Sequence, residues 1–205
     1  FPTPDGANRD VNATGVIGVV FARSAELLSD SPTVLATEGR SAMWADQLEG
    51  PARRVATLLR DRGETVGVAE GACGGLVSAA LLSVPGASAY FVGGAVIYTF
   101  RAKQGFLGEV IETPPDLRGA TEAFAAYLAA AVRARLGTTW GVGEGGAAGP
   151  PNRYGDPAGH AWLAVDGPVS ATRHVLTGSD DRAGNMERFA VAALELLGEA
   201  LGPTS

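Results

Sequence analysis

The sequence predicts an α/β domain, a layered sheet of mixed strands with flanking helices, on the strength of three observations. Short apolar runs bounded by Gly and Pro alternate with segments whose apolar residues recur at helical spacing. Hydrophobic residues make up 46% of the 205-residue chain and charged residues 19%, the balance of a chain that buries a core. The 29 Gly and 12 Pro supply many turns without the regular Gly period of collagen. Helices that alternate with apolar strands bury their faces by packing as layers on a sheet.

Residues 1–46 read as an N-terminal extension. Pro2, Pro4, Asp5, Gly6, Asn8, Asp10 and Asn12 make its start polar, Val16 to Phe21 has the composition of a short strand, and Ala22 to Leu28 of a helical turn or two. The chain begins at Phe1 and not Met, the expectation for a product from which a segment was removed. From Gln47 the pattern becomes regular, and 47–202 is expected to form one domain. Pro51 suits the first turn of a helix on which Val55, Leu58 and Leu59 share a face, and Gly63 closes it. Thr65 to Ala69 reads as a buried strand, followed by a Gly-rich loop from Glu70 to Gly75 and a helix from Leu76 to Ser83 that stops before Pro85-Gly86.

A strand from Tyr90 to Tyr98, a short helix over Ala102 to Leu107 and a polar Pro-rich link, Glu112 to Gly119, come next. An Ala-rich helix is expected over Thr121 to Leu136. Trp140 to Gly143 and Ala161 to Val165 read as strands on either side of a loop, Gly145 to Gly159. Thr172 to Leu176 reads as a further strand and Met186 to Leu201 as a closing helix, with Phe189, Val191, Leu194, Leu197 and Leu201 on its apolar face. Tyr90 and Trp162 are expected in the core, and Glu112 and Asp116 in solvent.

The formal net charge is −6, which argues against a nucleic-acid partner, since phosphate contacts need a basic surface. No apolar run approaches the roughly 20 residues of a membrane helix, so no membrane insertion is expected. Cys73 is the one cysteine and cannot form an internal disulfide. That favours a soluble protein of a reducing compartment, cytoplasmic or, if an import sequence was removed, organellar. His160 and His174 with a single Cys give no metal-ligand spacing, and no cofactor is implied.

Strand, Gly loop and helix together offer backbone N–H groups to an anion, although the same residues also make an ordinary tight turn. Neither a P-loop nor a G-x-G-x-x-G fingerprint is present. The run from Val66 to Tyr98, with Ala69-Glu70, Gly74-Gly75 and Pro85-Gly86-Ala-Ser88, resembles the CinA C-terminal domain family, the nicotinamide mononucleotide amidohydrolases. Further matches follow in order: Ala102-Lys103, Gly146-Ala-Ala-Gly-Pro150, Pro157-Ala-Gly-His-Ala-Trp162, and Gly178 with Asp181-Arg182 after two extra residues.

The resemblance implies hydrolysis of the carboxamide of nicotinamide mononucleotide to the acid and ammonia. It implies a Ser nucleophile after Ala-Glu, with Lys, Tyr, a second Ser and a Thr nearby and an Arg that meets the phosphate. A hydroxyl needs a neighbouring base, the tetrahedral oxyanion needs oriented donors, and the guanidinium fork matches phosphate. This sequence departs at two places: the nucleophile position is Gly71, and the Thr position is Gly145. Ser88, Tyr98, Lys103 and Arg182 are retained, with Gly71, Gly74, Gly75, Gly145 and Gly146 expected along the ligand.

Lys103 is the only lysine, every other basic residue being Arg, which suggests a need for an amine that can lose its proton; the alternative is a solvated side chain. Cys73 lies at the start of a helix, where its thiol would ionise more readily and could replace the missing nucleophile, or it simply packs between strand and helix. His160 is a candidate partner base or a hydrogen-bonded loop residue. Arg182 binds a phosphate or pairs with Asp180 or Asp181. Two functions follow. One is a divergent amidohydrolase using Lys103 with Tyr98 and Ser88, or Cys73. The other is an inactive homologue, a nucleotide-binding or structural subunit of a homo-oligomer or larger assembly.

Overall fold

The structure, a computed structural model, describes residues 46–202. The strand and helical turn expected between Val16 and Leu28 lie outside the described residues, as does the extension apart from Asp46. In chain order the elements are α1 (Asp46–Arg62), β1 (Val66–Glu70), α2 (Leu76–Ser83), a 3-10 turn (Ala87–Ala89), β2 (Phe91–Val96), α3 (Phe100–Leu107), α4 (Glu122–Leu136), β3 (Trp140–Ala147), β4 (His160–Asp166), β5 (Ala171–Leu176) and α5 (Arg182–Leu201). The five strands form one sheet in the order β2-β1-β3-β4-β5. β1 runs parallel to β2 and β3, while β4 and β5 follow by antiparallel pairing. The mixed sheet with helices around it is the expected α/β architecture.

One face of the sheet buries Val66, Val68, Val142 and Leu163 against α1, α2 and α5, with Leu59, Phe189, Leu194 and Leu197 in the same cluster. Most of the predicted α5 face is buried, and Val191 is only half-buried. Tyr90 is fully buried, its hydroxyl donating to the Leu81 carbonyl at 2.6 Å. Trp162 corrects its expectation: it is half-buried, stacked on His174 at 4.8 Å, because it faces away from the larger core. Glu112 and Asp116 are exposed, as expected. No described helix is long and apolar enough to cross a membrane.

Boundaries moved where a packing, pairing or capping contact extended an element. α1 begins at Asp46, which puts Pro51 inside the helix instead of in its first turn; the extra turn is retained because it buries Leu48. α5 starts at Arg182 and not Met186, since the Asp181 side chain accepts the Gly184 N–H at 3.1 Å and caps it. β3 continues through Gly145 and Gly146 to Ala147, where a loop was expected, because β4 pairs with it along that length.

On the second face α4 lies almost directly on β3. A Cβ at Gly141 would run into the Ala129 carbonyl, and one at Gly143 would meet the Ala125 carbonyl and lie 2.5 Å from the Ala129 N. Ala125, Ala129 and Ala164 complete this thin contact. Only strand positions without a side chain permit a helix backbone to come so near. Gly143→Ala is therefore expected to destabilise the domain by about 3 kcal/mol, the upper end for overpacking. Gly105→Ala, exposed on α3 with nothing within 4 Å of its Cβ, is expected to stabilise it by about 0.5–1 kcal/mol. Urea unfolding of both variants checks the contrast, and equal effects would refute the contact.

Candidate functional site

The ends of the parallel strands create a cleft of about 560 Å³. In an open α/β sheet, the crevice beyond the carboxyl ends of the strands is where ligands bind. Its floor is backbone: Gly71 and Ala72 after β1, and Gly145 and Gly146 within β3. Tyr98 and Phe100 enter from the β2–α3 connection, Phe124 from α4, and Asn152, Arg153 and Tyr154 from the β3–β4 loop. Thr99 caps α3 by accepting the Ala102 N–H at 3.1 Å, and Thr121 caps α4 by accepting that of Phe124 at 3.2 Å. These caps fix two aromatic walls.

Beneath the floor stand two buried carboxylates that the sequence reading left without a role, Glu70 and Glu144. They are register partners at matching points of β1 and β3. Glu70 accepts the N–H groups of Gly75 and Val77 at 3.0 Å and of Ser78 at 2.9 Å, plus the Ser78 hydroxyl at 2.6 Å, so it caps α2. Gly75 has φ +102, a left-handed conformation that glycine adopts without strain. Glu144 Oε2 accepts from Gly71 N at 3.0 Å and Cys73 N at 2.8 Å, while its Oε1 is buried with no hydrogen-bond partner among the described residues. Burial pushes the Glu144 carboxyl up from 4.5 to about 7, the Glu70 charge adding to the rise and the Cys73 and Gly71 N–H groups opposing it. A signal was available: Val-Gly-Val-Ala-Glu70 and Trp-Gly-Val-Gly-Glu144 end two apolar strands on the same residue.

The predicted site residues divide. Gly71, Tyr98, Gly145 and Gly146 line the cleft. Tyr98 is 69% exposed, and its hydroxyl meets no hydrogen-bonding partner among the described residues. At Gly145 a Cβ would lie 2.7 Å from Phe124 Cδ1, so the ring occupies the space of the missing Thr side chain. Ser88 is corrected: it is exposed in the 3-10 turn before β2, at the opposite end of the sheet, one strand length from the cleft.

Lys103 turns from the cleft toward α4. Its Nζ donates to Thr113 Oγ1 at 3.0 Å and lies 4.7 Å from the centre of the Tyr127 ring. Arg182 is exposed at the start of α5 and donates to the Gly149 carbonyl, so it braces the β3–β4 loop from outside and does not line the cleft. Gly74 and Gly75 are likewise outside the lining, being taken up in the turn that Glu70 caps.

Cys73 follows the packing alternative and not the nucleophilic one: it is fully buried in the core cluster, and burial, then Glu144 and Glu70, push the thiol well above its ordinary range. A buried neutral thiol is a poor nucleophile. His160 is not its partner. His160 Nε2 bonds the Ala120 carbonyl at 2.9 Å and Nδ1 bonds His174 at 2.9 Å, and Ala120, with φ +58, is a residue of the cleft rim.

Glu144 should dominate the pH dependence of stability near neutrality. A carboxyl with a higher pKa in the folded chain supports the fold when protonated: that contribution is complete below about pH 4.5 and is lost as pH rises to about 7. At about 1.4 kcal/mol per unit the loss is about 3 kcal/mol. Glu144→Gln, neutral at every pH, is expected to remove this fall and to be the more stable protein above pH 7. Thermal unfolding from pH 4.5 to 8 measures it, and parallel curves for the two proteins would contradict it.

Residues 48–201 match the family model for the CinA C-terminal domain. A CinA-like protein of Synechococcus elongatus is 37% identical over 135 residues, 65% of this chain and 32% of its own length. A CinA-like protein of Frankia casuarinae is 39% identical over 153 residues, 74% of this chain and 34% of its own. The chain thus spans about a third of the length of these relatives. The crystal structure of the competence/damage inducible protein CihA from Agrobacterium tumefaciens superposes with a TM-score of 0.70 at 28% identity, covering 78% of this chain and 99% of that one. The mixed sheet, the order of the motifs and these matches agree: the chain belongs to the CinA C-terminal domain family.

Proposed function

We propose that the cleft binds a nicotinamide-nucleotide-type ligand and that the protein has lost the covalent hydrolysis its family resemblance implies. Gly71 carries this reading. The reaction converts a carboxamide and water to a carboxylic acid and ammonia, and its covalent route needs an oxygen or sulfur nucleophile at the floor of the cleft. Gly71 has only backbone there. Of the substitutes, Cys73 is buried with its thiol held protonated, Ser88 is one strand length off, and Tyr98, which lines the cleft, has Lys103 turned away to Thr113. What remains supports binding: aromatic walls from Tyr98, Phe100, Phe124 and Tyr154 suited to a flat ring, and a floor of glycines open to close approach.

The test pairs wild type with Gly71→Ser. Gly71 has no left-handed φ, and a Cβ would lie 3.2 Å from the Glu144 carbonyl oxygen, a contact relieved by a shift of a few tenths of an ångström. Wild type is expected to bind nicotinamide mononucleotide in calorimetry and to release no ammonia from it, and Gly71→Ser should release none either, because Lys103 is turned to Thr113 and the Gly71 and Cys73 amides serve Glu144. Turnover by wild type, whether or not it survives Cys73→Ala, would sink the loss of chemistry. Failure of nicotinamide mononucleotide to bind at millimolar concentration would sink the ligand assignment.

A further inference from the structure

We propose that Arg153, and not Arg182, reads the charge of the cleft's ligand, and that this charge is a phosphate monoester. The inference rests on the binding role proposed above and adds the residue that selects the ligand. No acidic side chain lines the cleft, and Arg153 is its one charged lining residue among those described. A cleft of this kind favours an anion.

Three features distinguish Arg153 from a solvated surface arginine. It has no carboxylate within ion-pair distance among the described residues, because the nearby acid, Asp156, is taken by Arg118 and by Asn152 Nδ2 at 2.8 Å. Its guanidinium is held in place: it lies 4.8 Å from the centre of the Tyr154 ring, and Nη2 donates to the Tyr154 hydroxyl at 2.5 Å. A second guanidinium, that of Arg118, lies 5.1 Å from the same ring while paired with Asp156, so Tyr154 is held between the two arginines. With one N–H on Tyr154, the guanidinium keeps its other donors for a ligand. A planar fork of donors matches the oxygens of a phosphate, and an oriented side chain loses little freedom on binding.

The loop that presents Arg153 is itself tied down. Asn152 Oδ1 accepts the Tyr154 N–H at 2.9 Å and the Asp156 N–H at 3.1 Å, and Arg182 holds the carbonyl of Gly149 at the loop's base. Asn152 and Arg182 are thus positioning residues, and Arg153 is the one that can touch ligand.

Calorimetry with three probes tests the assignment: nicotinamide mononucleotide, nicotinamide riboside, which lacks only the phosphate, and ribose 5-phosphate, which lacks only the base. Wild type is expected to prefer the mononucleotide over the riboside by at least about tenfold. Arg153→Ala should erase that preference and leave riboside affinity within about twofold, while Arg153→Lys, which keeps the charge but not the fork, should retain part of it. Arg153 is exposed, and matching thermal unfolding of the variants confirms that they fold. A phosphate preference that persists in Arg153→Ala overturns the proposal, as does a wild type that binds mononucleotide and riboside equally. If ribose 5-phosphate binds through Arg153 as tightly as the mononucleotide, the proposal holds and the nicotinamide part of the functional reading fails. If none of the probes binds, both fall.

Discussion

Two carboxylates, side by side at the ends of parallel strands, organise the site end of this domain. Glu70 and Glu144 are brought level by the β1–β3 register and point into a buried layer with no cation beside them in their hydrogen-bond set. What balances their burial is backbone: between them they collect the N–H groups of Gly71, Cys73, Gly75, Val77 and Ser78. A loop whose amides are directed inward in this way has its course dictated residue by residue. Burial raises the Glu144 carboxyl, one oxygen of which is unpartnered among the described residues, and the Glu70 charge adds to the rise.

That arrangement bears directly on chemistry. In this family's implied reaction the amides at the start of α2 would be obvious donors for a developing oxyanion, yet here the amides of Gly71 and Cys73 already serve Glu144. Burial, then the Glu144 and Glu70 charges, raise the thiol of Cys73. In the proposed function, the absence of a side chain at Gly71 and the presence of Glu144 reinforce one another. Both remove reactivity from the floor while leaving its shape intact.

The cleft walls depend on a second close packing. Because β3 carries Gly141, Gly143 and Gly145 on one face, α4 settles onto the strand and brings Phe124 to the cleft, where its ring takes the space beside Gly145. The cleft then presents aromatic surface and, among the described residues that line it, a single cation on the β3–β4 loop. A surface of that composition suits the binding role proposed above.

Local sequence determined the elements and their order, since apolar periodicity, Pro, Gly and capping residues act within a few positions of themselves. Every strand and helix expected between Gln47 and Leu201 is present. The boundaries that moved, at Asp46, Ala147 and Arg182, were decided by Leu48 burial, by pairing with β4, and by the Asp181 cap. Tertiary structure alone decided which retained residues meet. Ser88, Lys103 and Arg182 follow the family's order along the chain, but the sheet separates Ser88 from the cleft, Tyr127 draws Lys103 aside, and Gly149 engages Arg182. It also decided the state of Cys73 and Glu144, because desolvation and the approach of two carboxylates depend on strands that lie far apart in sequence, and no local pattern encodes their distance.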